Sequence, residues 1–89
     1  MIVVNKRLRP KVLLSLIRRR ARVHDLTLEE LPWRGKGSHR LYVLLDHDGR
    51  EVARFMLTGH AKELEWPVLR DIEARLADAL EDKKWMEDR

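Results

Sequence analysis

Four histidines carry the only side chains in this sequence whose ordinary pKa places a charge change near neutral pH, and His39 stands where that change is useful. It follows the loop Gly35-Lys36-Gly37-Ser38 and is surrounded in sequence by Arg34, Lys36 and Arg40. An imidazole in that setting can take the proton from a ribose 2′-hydroxyl or give one to a leaving oxygen, while the cations stabilise charge on the phosphate. That chemistry is metal-free RNA cleavage. Either glycine of the loop can adopt positive φ or let a phosphate approach the backbone. His60 lies in a second loop, and a hairpin between the two loops would bring it toward His39. His24 and His47 read as a helix-end residue and a turn residue. A loop histidine among basic residues also serves plain solvation, and at this level that reading stays open beside the catalytic one.

Other chemistries find little support. With no cysteine in 89 residues, disulfides, iron–sulfur clusters, thiolate zinc sites and cysteine nucleophiles are excluded together. No two histidines have metal-ligand spacing on a helix, and no Walker, Rossmann or Gly-x-Ser-x-Gly signature is present. Asp46, Asp48 and Glu51 resemble part of an oxygen-ligand loop, but the downstream glutamate is missing and turn chemistry accounts for them. The expectation is a protein without metal or small-molecule cofactor. Trp33, just before Arg34, can stack on a base or fill a core.

A modest formal net charge of +4 conceals a division along the chain. Residues 1–40 hold eleven basic and three acidic residues, whereas residues 41–89 hold eight basic and twelve acidic ones. Clustered Lys and Arg release counterions from a phosphate backbone, so the basic half suits a polyanion such as RNA, although a solvated basic helix fits it too. The apolar runs fall well short of the roughly 20 residues needed to cross a bilayer. Met1 to Val4 is apolar and precedes basic residues, the reverse of a signal peptide, so a soluble cytoplasmic protein without membrane contact is expected.

The elements that must position these residues form one small domain, 1–89. Pro10 opens a helix over 10–23, with Leu13, Leu16, Ile17 and Ala21 at three- and four-residue steps and Lys11, Arg18, Arg19 and Arg22 largely on other faces. Thr27-Leu28-Glu29-Glu30 fits a capping box, which makes 25–33 a connector with one helical turn. Arg40 to Leu45 and Glu51 to Leu57, joined at Asp48-Gly49, form a β-hairpin. Pro67 starts a second helix, striped by Leu69, Ile72, Leu76 and Leu80 and running to about Leu80. The tail 81–89 is charged, and Trp85-Met86 within it reads as a partner contact or a frayed last turn. Helix, hairpin, helix is an α+β arrangement, its helices packed on one face of a small antiparallel sheet.

Two segments in the right order resemble the HicA toxins of bacterial type II toxin–antitoxin pairs, the YcfA-like mRNA interferases. Arg34 to Tyr42, Arg-Gly-Lys-Gly-Ser-His-Arg-Leu-Tyr, is similar to that family's Arg-x-x-Gly-Ser-His loop running into an aromatic-bearing strand. His60-Ala61-Lys62-Glu63-Leu64, followed by Leu69-Arg70 and Ile72, resembles its His-x-Lys-Glu-Leu element and the start of its last helix. The resemblance covers about residues 34–80.

It implies a fold like a double-stranded-RNA-binding domain, α-β-β-β-α, and an endoribonuclease that cleaves mRNA without a metal and is neutralised by a HicB-like antitoxin. It also makes His39 the essential histidine. Ser38 and the amides around Gly37 would then position the phosphate, Arg34, Lys36 and Arg40 would bind RNA, and His60 and Lys62 would line the site from the opposite loop. The third strand this fold requires would come from Trp33 and its neighbours or from Met1 to Val4. The alternative is a noncatalytic RNA- or protein-binding module of the same fold, encoded by a phage or mobile element.

Overall fold

The computed structural model describes residues 8–31, 39–58 and 63–86. Within them the chain runs α1 (Pro10–Val23), β1 (Thr27–Leu31), β2 (His39–Leu45), β3 (Glu51–Thr58) and α2 (Trp66–Leu76). The three strands form one antiparallel sheet in the order β1-β2-β3. This is the α-β-β-β-α layout expected above, with both helices on one face of the sheet.

Helix α1 has the expected bounds, with Pro10 in its first turn and Leu13, Leu16, Ile17 and Ala21 buried. Its end is built by backbone geometry. Asp25 takes the left-handed conformation at φ 57°, Asp25 N–H donates to Arg22 O and Leu26 N–H donates to Ala21 O, the paired bonds of a Schellman motif. The same device closes the turns after α2. There Glu81 sits at φ 54°, Glu81 N–H donates to Asp78 O and Asp82 N–H to Ala77 O. The two exits meet, since His24 Nδ1 lies 3.4 Å from Glu81 Oε2. The two approaches are joined as well, by a bridge in which Leu64 N–H donates to Leu8 O at 2.7 Å and Leu8 N–H to Leu64 O at 3.2 Å.

The reading of 25–33 as a connector with one helical turn is corrected: Thr27–Leu31 is a strand, paired Thr27↔Leu45 through Leu31↔Leu41. A capping box is a local pattern worth about a kcal/mol, whereas β1 gains a full ladder against the central strand and buries part of Leu28 against the core. The first strand therefore comes from the supposed capping segment. Met1 to Val4 and Trp33 lie outside the described residues.

Strands β2 and β3 each extend one residue beyond expectation. Asp46 holds their turn, its carboxylate accepting from the N–H groups of Asp48 and Arg50 at 2.9 Å each, with Gly49 at φ 81°. Those amide bonds, from Arg50 first, hold the Asp46 carboxyl below its usual pKa, so its oxygens serve the turn. A register irregularity between Leu44 and Leu45 follows.

Alternation along the strands sends Tyr42, Leu44, Phe55 and Leu57 to the helices, where they join Leu13, Ile17, Leu69 and Leu76 in one core. Helix α2 stops at Leu76 rather than at Leu80, and residues 77–81 form turns. Trp85 and Met86 are neither frayed nor outward, being 0% and 2% exposed. Trp85 Nε1–H donates to Glu73 O at 2.9 Å, and Met86 N–H donates to the Glu73 carboxylate at 3.0 Å. Glu73 is thus buried with a partner, and the segment closes the end of the core.

Candidate nucleic-acid interface

His39 opens β2 and is exposed, paired in register with Thr58, the last residue of β3. Thr58 stands two residues before His60 in the sequence, so the two loops singled out above leave the sheet at one end. Arg34, Lys36, Gly37, Ser38, His60 and Lys62 lie outside the described residues, as does the side chain of Thr58.

Strand alternation separates His39 from Arg40. Arg40 shares the helix-side face with Tyr42 and Leu44, and its guanidinium donates to Glu30 Oε2 at 2.7 Å. Tyr42 donates its hydroxyl to the other oxygen of Glu30 at 3.4 Å. His39 faces the opposite side of the sheet, with Leu41 and Val43. The basic neighbour expected to share the imidazole's surroundings is therefore tied to a carboxylate across the sheet. Among the described residues no side chain is hydrogen-bonded to His39.

The Tyr42, Glu30 and Arg40 cluster had no signal in the sequence beyond the charges themselves, because it depends on Glu30 and Tyr42 being cross-strand partners. Tyr42 also stacks on Phe55, with ring centroids 5.3 Å apart and planes 12° from parallel. Burial, then the Glu30 charge, then the hydrogen bond to Glu30 push the Tyr42 phenol above its usual pKa, against the opposing charges of Arg40 and Arg18. The phenol accordingly stays protonated at neutral pH and donates. Arg18 belongs to the surroundings of this cluster although it comes from α1.

The cations of α1 divide by face. Arg18 and Arg22, one helical turn apart, line a groove of about 340 Å³ with Leu26, Thr27 and Leu28, between α1 and the start of β1. Arg19 lies elsewhere, beside Leu16, Arg20 and Val23. Arg18, Arg19 and Arg22 are exposed, and among the described residues none of the three has a carboxylate within ion-pair distance. The i, i+4 spacing of Arg18 and Arg22 was the one sequence signal for this groove; its other wall needed β1.

The described residues hold no group of three or more His, Asp or Glu side chains able to bind a metal ion. Among them, no helix is long and apolar enough to cross a membrane. The chain matches no protein-family model, no curated protein and no solved structure. What the fold and surface define is a small α+β domain with an exposed histidine at a strand start and a basic groove along its first helix.

Proposed function

We propose that this protein is a metal-independent endoribonuclease of the HicA kind, acting on mRNA in the cytoplasm and neutralised by a HicB-like antitoxin. The observation that carries the reading is the position of His39: exposed at the first residue of the central strand, opposite Thr58, in a sheet of α-β-β-β-α order. The two segments that resemble the family adjoin, in the sequence, the paired residues His39 and Thr58 at that end of the sheet. His39 takes the proton from a ribose 2′-hydroxyl or gives one to the leaving oxygen, since a solvent-exposed imidazole can exchange protons at neutral pH. Gly37 and Ser38 position the phosphate, and Arg34 and Lys36 with His60 and Lys62 hold the strand, each of these roles resting on the sequence resemblance. Arg40 contributes charge from the far face, where it is paired with Glu30.

The test is incubation of the purified protein, freed of any partner, with a long RNA in EDTA, alongside a His39→Ala variant shown by circular dichroism to be folded. Cleavage by the wild type and a loss of at least about 100-fold in the variant are expected for a lost general acid–base group. Full activity of the folded variant removes His39 from the chemistry. If neither protein cuts RNA, the noncatalytic binding module takes precedence; the exposed arginines of α1 favour that second reading, because they serve binding whether or not a bond is broken.

A further inference from the structure

We infer that the groove between α1 and β1 is a track for the phosphodiester backbone of a single-stranded RNA, gripped by Arg18 and Arg22 and not by Arg19. The inference deepens the reading above and rests on it for the identity of the polyanion. Arg18 and Arg22 are separated by four residues, about 6 Å along the helix, which places their guanidiniums one after the other on the same groove wall. Successive phosphates of one strand meet such a pair in turn, and planar guanidiniums match phosphate oxygens bidentately.

The opposite wall supplies what a nucleotide offers between its phosphates. Leu26 and Leu28 are half-buried and present apolar surface to sugar and base, with Thr27 between them in the groove lining. The cations and the apolar wall together match a chain that alternates phosphate with sugar and base, and an acidic peptide is the competitor against which the groove is tested below. The track also has a direction. Helix α1 and β1 run antiparallel through the tight turn at Asp25, so Arg22 lies by Thr27, and Arg18 lies further toward Glu30, Tyr42 and Arg40. Following Arg22, Arg18 and Arg40 leads along β1 to the end of the sheet where β2 begins with His39. From Leu45, the partner of Thr27, to His39 is six residues, about 20 Å of strand. A strand held by the groove therefore reaches that end of the sheet within a few nucleotides, and rounds it to meet His39 on the side away from the helices.

The experiment is fluorescence anisotropy of the full chain with a labelled, uniformly 2′-O-methylated single-stranded RNA at several salt concentrations, with cleavage of unmodified RNA in EDTA measured in parallel. Arg18→Gln/Arg22→Gln is expected to weaken binding at least about tenfold and to reduce the salt slope by about 1.4, two phosphate contacts at 0.7 each. Arg18→Lys/Arg22→Lys should restore most of the slope, and Arg19→Gln should stay within about twofold of wild type. All three arginines are exposed, so melting curves should coincide and a folding defect is recognised directly. Wild-type affinity in the double Gln variant overturns the groove, as does an equal loss from Arg19→Gln, which would indicate diffuse charge, or equal competition by a polyglutamate peptide. Cleavage by the wild type with unaltered binding in the double variant removes the groove and leaves the ribonuclease. Weakened binding in the double variant with no cleavage by any protein removes the ribonuclease and leaves the groove.

Discussion

Helices α1 and α2 solve the same packing problem and differ on the side that packing does not touch. Each follows a backbone bridge at Leu8 or Leu64, carries a proline in its first turn and buries an apolar stripe, Leu13, Leu16, Ile17 and Ala21 in one and Leu69, Ile72 and Leu76 in the other. The course of each ends at a left-handed residue, Asp25 or Glu81. Outside the stripe they diverge. Helix α1 has five cations and no carboxylate, whereas α2 has two of each, with Arg75 donating to Asp71 at 2.8 Å and Glu73 turned inward. The helix dipole favours Arg20 and Arg22 in the last turn of α1 but gives nothing to Arg18. Like charges at Arg18 and Arg22 repel across one turn. A helix needs no such face to fold, as α2 demonstrates, and the surplus is the surface that the proposed RNA contact would use.

The comparison can be broken at its most expensive level first. If α2 depends on the C-terminal segment for its cover, Trp85→Ala should destabilise the protein by about 3–5 kcal/mol in urea unfolding, since it empties a fully buried site. A loss below about 1 kcal/mol would show that the segment merely rests on the core. The shared helix endings come next. Asp25→Gly and Glu81→Gly should each raise stability by about 1 kcal/mol, because glycine adopts positive φ without the steric cost paid by a residue with a Cβ. A gain at one site only would mean that the other side chain has a compensating role, for Glu81 its contact with His24. The smallest effect lies in the outward charges. Asp71→Asn should cost α2 about 0.3–0.5 kcal/mol and lose that difference at high salt, as exposed pairs do. A salt-independent loss would imply a packing role for Asp71 instead.

Much of this architecture was legible because it rests on local rules. The 3.6-residue spacing after Pro10 located α1, and Asp48-Gly49 between two β-rich runs located the hairpin. Helix α2 was legible at its start, where proline is restricted to few positions, and not at its end, where Ala77 to Leu80 continue the periodic pattern but turn. The strand β1 was misread because Thr27 and Glu30 satisfy a helix-capping pattern as well as a strand; only the partner β2 distinguishes the two. Trp85 sits in a charged tail whose composition says surface, and it is buried because its ring packs into the core while its indole N–H is satisfied by the Glu73 carbonyl twelve residues back.

The candidate site divides in the same way. That His39 begins a strand and is exposed follows from its neighbours in the chain. That Arg40 faces away from it, held by Glu30 beside Tyr42, follows from pairings ten and twelve residues apart.

By itself, the sequence determined the two amphipathic helices, the hairpin and the concentration of cations in the first forty residues, since periodicity, turn chemistry and charge are properties of neighbouring residues. Only the tertiary structure decided that Thr27–Leu31 is a strand, that Trp85 closes the core, and that Arg18 and Arg22 share a groove from which Arg19 is absent. Each of those outcomes is a contact between residues distant in sequence, and its free energy exists only once the sheet has brought both partners together.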